Sequence, residues 1–179
     1  MDVGMILCPD CGGENLPGAD LCESCSHDLT HLYLQRATAP IQKLIVQNSI
    51  ASIRLRPPLE VLPETVLYEV LKKMRQQAVG AVVIRKGRHL SGIFTERDFL
   101  YRIALRDLDL YRTPIRAVMT PSPVTINLSH SLAFALREMA LGRYRHLPVM
   151  DEQDHCVGIL SADGILNYLI DHLDAEACS

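Results

Sequence analysis

Apolar and polar positions follow one order of spacings along the chain, and that order occurs twice. A short strand pattern at 58–61 precedes apolar positions three and four residues apart at 67–74, which is the spacing of a helix. Two apolar strand patterns follow at 81–84 and 92–95, separated by a polar turn, and a second helix pattern contains 99–100. The pattern predicts the element order β-α-β-β-α.

The second copy repeats this order with little change. Its strand patterns lie at 123–126, 147–150 and 158–161, and its helix patterns include 132–139 and 165–166. One copy alone is too small to bury a sheet face well. We therefore predict an α/β (α+β) fold in which two β-α-β-β-α repeats pack in a pseudo-twofold arrangement.

Charge separates this body from the N-terminus. Residues 1–30 contain six acidic side chains and neither Lys nor Arg, so all 18 basic residues lie further along the chain. Such a difference favours a separate small domain. The predicted organisation is a domain at 1–30, a linker with a lead-in helix at 31–48, and repeats at 49–112 and 113–175.

Four cysteines in the first segment have the spacing of a metal site. Two residues separate Cys8 from Cys11 and Cys22 from Cys25, which lets two tight turns complete a tetrahedron of sulfurs around zinc. The alternatives are iron, as in rubredoxin, and a pair of disulfides. His27 could replace one of the cysteines as a ligand, but the complete set of four favours a surface histidine. A thirty-residue segment with few large apolar side chains needs the metal for much of its folding free energy.

The segment from Cys8 to Cys25 resembles a short zinc ribbon. Some ribbons bind nucleic acid, but this one has no basic side chain, and a zinc site with four thiolates carries a net charge of about −2. It would repel phosphates, so contact with a protein is favoured over contact with nucleic acid.

Three motifs of the duplicated body resemble those of CBS domains. They are GIFTERD at 92–98, RHLPVMD at 145–151 and VMTPSPVTI at 118–126. CBS domains occur in tandem as a Bateman module, and the resemblance covers roughly residues 40–172. It implies a regulatory module that binds an adenine nucleotide (AMP, ADP or ATP) between the repeats and pairs as a flat homodimer.

The resemblance also implies roles for the first strand-to-helix junction. Thr95, Arg97 and Asp98 belong to the matching motif, in which the hydroxyl and the carboxylate bind the ribose. From the residues alone, the T-x-x-D pattern of Thr95 to Asp98 predicts a capping box, and the two roles are compatible.

Adenine and phosphate positions follow from the same resemblance. The adenine is expected against Pro58, the backbone of Val79, Gly80 and Ala81, and the side chain of Ile93. Arg145 and His146 are expected to face the phosphates, with solvated turn residues as the alternative. Arginine suits phosphate because its planar guanidinium stays charged.

The second copy departs from this pattern. Ser161 keeps the hydroxyl, but Gly164 stands where the first copy has its aspartate, and Asp163 comes one residue early. A weaker second site is predicted from Thr120, Ser161 and Asp163, with helix capping as the alternative role of the last two.

The motifs together favour a non-enzymatic regulator in the cytoplasm. No apolar run reaches the ~18 residues of a membrane span, and residues 1–4 do not look like a secretory start. A catalytic set is not evident, and a metal with four cysteine ligands has no open position. The alternatives are a nucleic-acid-binding regulator acting through the ribbon and a scaffold that binds no ligand.

Overall fold

The computed structural model describes residues 5–30, 32, 40–106 and 108–177, the last four without their side chains. Residues 1–4 and most of the predicted linker before residue 40 therefore lie outside the described residues. The chain forms two compact units. The ribbon unit comprises Met1–Arg54, Leu128–Arg145 and Ser161–Ser179, and the sheet unit comprises Leu55–Asn127 and His146–Leu160.

Nine strands and five helices are named here in chain order. The strands are β1 (Ile6–Leu7), β2 (Glu14–Asn15), β3 (Glu60–Val61), β4 (Ala81–Lys86), β5 (His89–Thr95), β6 (Thr120–Pro121), β7 (Ile126–Asn127), β8 (His146–Met150) and β9 (Cys156–Ser161). The helices are α1 (Pro40–Gln47), α2 (Leu67–Gln77), α3 (Glu96–Asp98), α4 (Leu132–Gly142) and α5 (Ala162–Ala177). Short 3₁₀ turns span Ile50–Ser52 and Ile115–Ala117, and a π-helical turn spans Phe99–Ile103.

The ribbon unit combines the cysteine-rich segment with three helices. β1 pairs antiparallel with β2, and the small core beneath them consists of Ile6, Cys8, Ala19, Cys22 and Leu29. α1 packs against both α4 and α5. Two of the five core residues are cysteines, so this segment has little apolar area to hold it folded.

The sheet unit contains a four-stranded sheet in the order β3-β4-β5-β6 and a three-stranded sheet in the order β7-β8-β9. β4 lies parallel to β3 and antiparallel to β5, and β7 lies parallel to β8. Along the chain, β3-α2-β4-β5-α3 and β7-α4-β8-β9-α5 give the order β-α-β-β-α twice. The predicted fold class is therefore confirmed; the domain boundaries stay predictions.

The core of the sheet unit explains its local structure. α2 buries Leu67, Val70 and Met74, whose spacing places them on one helical face. The first four residues of β4 are all buried, as expected of a strand between two others and covered on both faces. α2 ends at Ala78 in the left-handed conformation, which turns the chain directly into β4.

No helix among the described residues is long and apolar enough to cross a membrane.

The contact between β5 and β6 yields a stability prediction. Gly92 lies opposite Pro121, and a Cβ at Gly92 would stand 2.6 Å from the Met119 sulfur and 2.9 Å from the Thr120 carbonyl oxygen. Gly92→Ala should lower the free energy of unfolding by about 1–3 kcal/mol because of this overlap, measured by urea denaturation. Ser91→Ala, which adds no atom in the same strand, is the control. An unfolding midpoint of Gly92→Ala equal to that of the wild type would contradict the close approach.

Candidate functional site

The junction between β5 and α3 is closed by a reciprocal pair of side chains. The Thr95 backbone N–H and hydroxyl donate to Oδ2 of Asp98 at 2.9 and 2.7 Å, and the Asp98 N–H donates to the Thr95 hydroxyl at 3.3 Å. This is the capping box that the T-x-x-D pattern predicts. It fixes the carboxylate at the start of α3.

The other oxygen of Asp98 faces Arg102 and Thr120. Arg102 Nε lies 3.3 Å from Oδ1, and the Thr120 hydroxyl donates to the same oxygen at 3.3 Å. Arg102 also donates from Nη2 to the Thr120 hydroxyl at 3.0 Å, and from Nη1 to the carbonyls of Val118 and Met119. Thr120, predicted to belong to a weaker second site, therefore lies in this first cluster.

Arg102 is a member of the cluster that the sequence reasoning missed. It lies four residues after Asp98, a spacing at which side chains on a helical face meet, so the signal was available. The side chain of Asp98 is only 12% exposed, which strengthens its attraction to the guanidinium. The site thus holds a buried carboxylate with a fixed positive partner.

The start of β4, next to this junction, presents mainly backbone groups to a ligand. The Gly80 carbonyl accepts from the Glu96 N–H at 3.0 Å, and Ala81 pairs with Thr95 across the strands. The side chains of Ala81 and Ile93 are buried, whereas Pro58 and Val79 are half-buried. The predicted adenine-binding residues thus all lie in the sheet unit, and Gly80 and Ala81 add little bulk there.

Two polar groups lie close to Gly80. A Cβ on that glycine would stand 3.3 Å from a Glu96 carboxylate oxygen and 3.4 Å from Nε2 of His146. His146, which is predicted to face the phosphates, therefore lies beside Gly80, where the adenine is expected. Glu96 was not predicted, and the T-x-x-D pattern gives no signal for its role because the residue after a helix cap is commonly acidic.

Two predicted site residues remain: Arg97 of the first strand-to-helix junction, and Arg145, which is expected to face the phosphates. The exposed guanidinium of Arg97 lies 5.4 Å from the centre of the Tyr101 ring. Arg145 belongs to the ribbon unit, where its side chain is exposed and its carbonyl accepts from the Ala162 N–H.

The matching junction in the second copy caps a helix without a carboxylate. The Ser161 hydroxyl accepts from the Gly164 N–H at 3.0 Å, and Asp163 is exposed. Because Gly164 has no side chain, nothing there reproduces the contacts of Asp98. The two copies therefore differ in the chemistry they offer at the same place in the fold.

The four predicted metal ligands come together. Their Sγ atoms all lie within 4.8 Å of one another, and the pairs Cys8–Cys25 and Cys11–Cys22 are 3.6 Å apart. Sulfurs about 2.3 Å from a tetrahedral zinc are about 3.8 Å apart, so this donor set fits the ion. The predicted alternative ligand His27 instead places Nδ1 2.8 Å from a carboxylate oxygen of Asp10.

The surroundings of Cys22 lower the pKa of its thiol. Burial, the largest single effect, disfavours its thiolate, whereas the N–H groups of Cys25 and Ser24 favour it. With the Asn15 amide and the Cys11 sulfur they lower the pKa of Cys22 to about 6.

Cys25 behaves in the opposite way. The His27 N–H favours its thiolate, but the sulfurs of Cys11, Cys8 and Cys22 and partial burial outweigh that contact and raise the pKa of Cys25 to about 12. Thiolates crowded around one point repel each other, and a cation at the centre removes the repulsion. The arrangement therefore suits a metal better than four free thiols.

Comparisons with known proteins address the duplicated body. The model of the CBS domain family matches residues 50–105 and 115–171. Over 104 residues the chain is 36% identical to the meiotically up-regulated gene 70 protein of Schizosaccharomyces pombe, a match that covers 58% of this chain and 14% of that protein. The CBS domain-containing protein YhcV of Bacillus subtilis is 34% identical over 101 residues, covering 56% of this chain and 71% of the relative.

Solved structures show the same fold. A conserved protein from Pyrococcus horikoshii superposes with a TM-score of 0.63 at 27% identity, covering 68% of this chain and 91% of that one. A CBS-domain protein from Pyrobaculum aerophilum, solved with AMP, gives 0.59 at 25% identity, covering 69% and 98%. The CBS-domain pair of protein MJ0100, solved with 5′-methylthioadenosine and S-adenosyl-L-methionine, gives 0.62 at 19%, covering 70% and 98%.

The chain spans only a small part of the S. pombe protein but most of YhcV and of these solved chains. Two matches to one family model, in the order and at the places of the two repeats, account for most of the sequence outside the cysteine-rich segment. The chain belongs to the CBS-domain family and carries a tandem pair of these domains.

Proposed function

We propose that this CBS-domain pair is a non-enzymatic regulatory module that binds an adenine nucleotide and passes the signal to a protein partner. The observation that carries the proposal is the Asp98 cluster, where a mostly buried carboxylate is held at the start of α3 beside a small-residue strand edge. The AMP complex of the Pyrobaculum aerophilum relative supports an adenine ligand.

Asp98 is suited to two neighbouring hydroxyls, which is what a ribose presents. A carboxylate offers about four acceptor positions, and here Thr95, Thr120 and Arg102 occupy them. A ribose hydroxyl would replace the hydroxyl of Thr95 or Thr120, while Arg102 keeps the carboxylate in place. The exchange of one hydroxyl for another costs little.

The charged and polar groups around Gly80 influence how many phosphates the bound nucleotide would carry. His146 is the proposed partner of the phosphates within the sheet unit, and the phosphate role of Arg145 stays a prediction. The Glu96 carboxylate lies at the same edge as His146 and repels additional anionic charge. This combination favours AMP over ADP and ATP, and S-adenosylmethionine, whose sulfonium is positive, is the main competitor.

The signal would be a shift between two arrangements of the module. A nucleotide bound between the repeats favours whichever arrangement it binds more tightly, and only by the difference in affinity. The proposed partner surfaces are the ribbon and a homodimer face.

The ribose assignment is tested by a matched pair of variants. Asp98→Asn removes the charge that accepts the ribose hydroxyls, so we expect the Kd for AMP to rise about 10- to 100-fold, the loss typical of hydrogen bonds to a charged group. Asp163→Asn, which alters the exposed carboxylate at the start of α5, should bind as the wild type does. Isothermal titration with AMP, ATP and S-adenosylmethionine measures both.

Asp98 also caps α3, so the melting temperatures of the free variants must be compared first. If neither the wild type nor the Asp163 variant binds any of the three ligands, the nucleotide proposal fails and a scaffold remains. Equal affinity in the Asp98 variant would show that the ribose lies elsewhere.

The homodimer is proposed to form through an apolar face of the sheet unit. A groove of about 570 Å³ runs between α2 and the π-helical turn, lined by Leu71, Met74, Arg75, Ala78, Val79, Glu96, Phe99 and Leu100. Leu100 is 58% exposed and the neighbouring Tyr101 68%. Burying such a patch against a second copy removes apolar area from water, which drives association.

A charge placed in this face should break the dimer. Leu100→Glu is expected to shift the chain from dimer to monomer in sedimentation equilibrium because the new carboxylate would be buried unpaired. Leu62→Glu alters an equally exposed leucine outside the groove and is the control. A wild-type chain that sediments as a monomer would overturn the proposal.

The ribbon is proposed to hold one zinc ion. Metal analysis of the purified chain should give about one zinc per chain, and Cys22→Ser should abolish it because the fourth thiolate is lost. Cys156→Ser, outside the cluster, should retain the metal. Iron in place of zinc would show thiolate-to-iron absorption bands, and an absence of both metals would disprove the site.

A further inference from the structure

The segment of the ribbon that contains Asp20 and Glu23, here called the acidic loop, contacts the start of α4, the first helix of the second repeat. Ser131 is the N-cap of α4, and its hydroxyl accepts from the Phe134 N–H at 3.0 Å. Asp20 of the ribbon then takes both donors of that serine, the backbone N–H at 3.2 Å and the hydroxyl at 2.7 Å. A ribbon carboxylate thus completes the cap of a helix 111 residues away in sequence.

Two further contacts hold the same surfaces together. Glu23 forms an ion pair with Arg137, whose side chain is only 13% exposed. Gly18 has a φ of +91°, and a Cβ there would lie 3.1 Å from the Ala133 carbonyl oxygen. The ribbon backbone therefore touches the first turns of α4 directly.

The first repeat starts its equivalent helix in another way. α2 follows Val66, which has no capping side chain. Its first N–H groups donate to the carbonyls of Thr113 and Leu110, which belong to the loop after the same repeat. The start of α2 is thus held by the loop between the repeats, whereas the capping serine of α4 is held by the ribbon.

The position of the acidic loop depends on the cysteines. Asp20 and Glu23 flank Cys22, and the Glu23 N–H donates to the Asn15 side chain, whose amide lies 3.6 Å from the Cys22 sulfur. The five-residue ribbon core includes two of the four cysteines. Without a metal, too little holds Asp20 and Glu23 where α4 needs them.

We propose that metal binding by the ribbon and the order of the start of α4 are linked, so that the ribbon is an internal clamp on the second repeat. The acidic loop binds the start of α4 through Asp20 and Glu23, and loss of the metal loosens that helix. This inference rests on the metal site proposed above. Linkage is reciprocal, so a well-formed α4 in turn favours metal binding.

Hydrogen exchange followed by mass spectrometry tests the linkage on the full chain. In the metal-loaded wild type, removal of the metal by a chelator should speed amide exchange in the first turn of α4 by up to about tenfold, because Ser131 keeps its hydrogen bond to Phe134 but loses the Asp20 carboxylate that holds it in place. The first turn of α2, whose N–H groups donate to Thr113 and Leu110 of the sheet unit and not to the ribbon, should exchange at an unchanged rate and serves as the internal control.

Variants separate the clamp from the metal. Asp20→Ala should raise exchange at α4 with the metal still bound, and chelation should then add little. Glu23→Gln, which removes only the ion pair with Arg137, should give a smaller rise and is the safeguard if Asp20→Ala impairs ribbon folding. Glu14→Ala alters an exposed ribbon carboxylate in β2 and should match the wild type.

Two failures are distinguishable. A purified chain with no metal would overturn the metal site itself. A metal-loaded chain whose α4 exchanges equally with and without metal, or whose α2 loosens as much as α4, would overturn the clamp while leaving the metal site standing.

Discussion

The backbone N–H groups at the start of each helix are the constraint on which this molecule depends. They have no partner within the helix, and leaving them buried without one is costly. At four of the five helices described, these groups are satisfied in four ways: carbonyls of a following loop at α2, a capping box at α3, a serine with a ribbon carboxylate at α4, and a serine alone at α5. Two of these solutions place a carboxylate at a helix start, Asp98 at α3 and Asp20 at α4, and the proposals on nucleotide binding and on the ribbon clamp concern those two carboxylates.

Local spacing in the sequence explains what could be predicted. The duplicated order of strands and helices follows from apolar periods of two and 3.6, and the capping box of Thr95 and Asp98 from a three-residue spacing. The metal cluster follows from two pairs of cysteines. Each of these signals is contained in a short stretch of chain, so one sequence is enough to read it.

The contacts that could not be predicted from the sequence are those between segments far apart in the chain. Nothing in the sequence near Asp20 indicates that it meets Ser131, because the pairing depends on how the ribbon packs against α4. Thr120 was grouped with the second copy by its place in the sequence, yet β6 pairs with β5 and brings its hydroxyl to Asp98. Arg102 had a local signal, but its contacts with the Val118 and Met119 carbonyls did not.

All acceptor positions of the Asp98 carboxylate are occupied, so a ligand that binds there would have to displace a protein group and could thereby change the structure. Its acceptor positions are filled by groups from β5, from the π-helical turn and from β6, so the carboxylate ties three segments together. A ligand hydroxyl that takes the place of Thr120 would remove one of those ties, and Arg102 would keep its hold on the carbonyls just before β6. The proposed binding would therefore alter the attachment of β6 without unfolding it. Gly164 leaves the second copy without a carboxylate at this place, so under the proposed function the junction of the first copy is the one that would respond to the ligand.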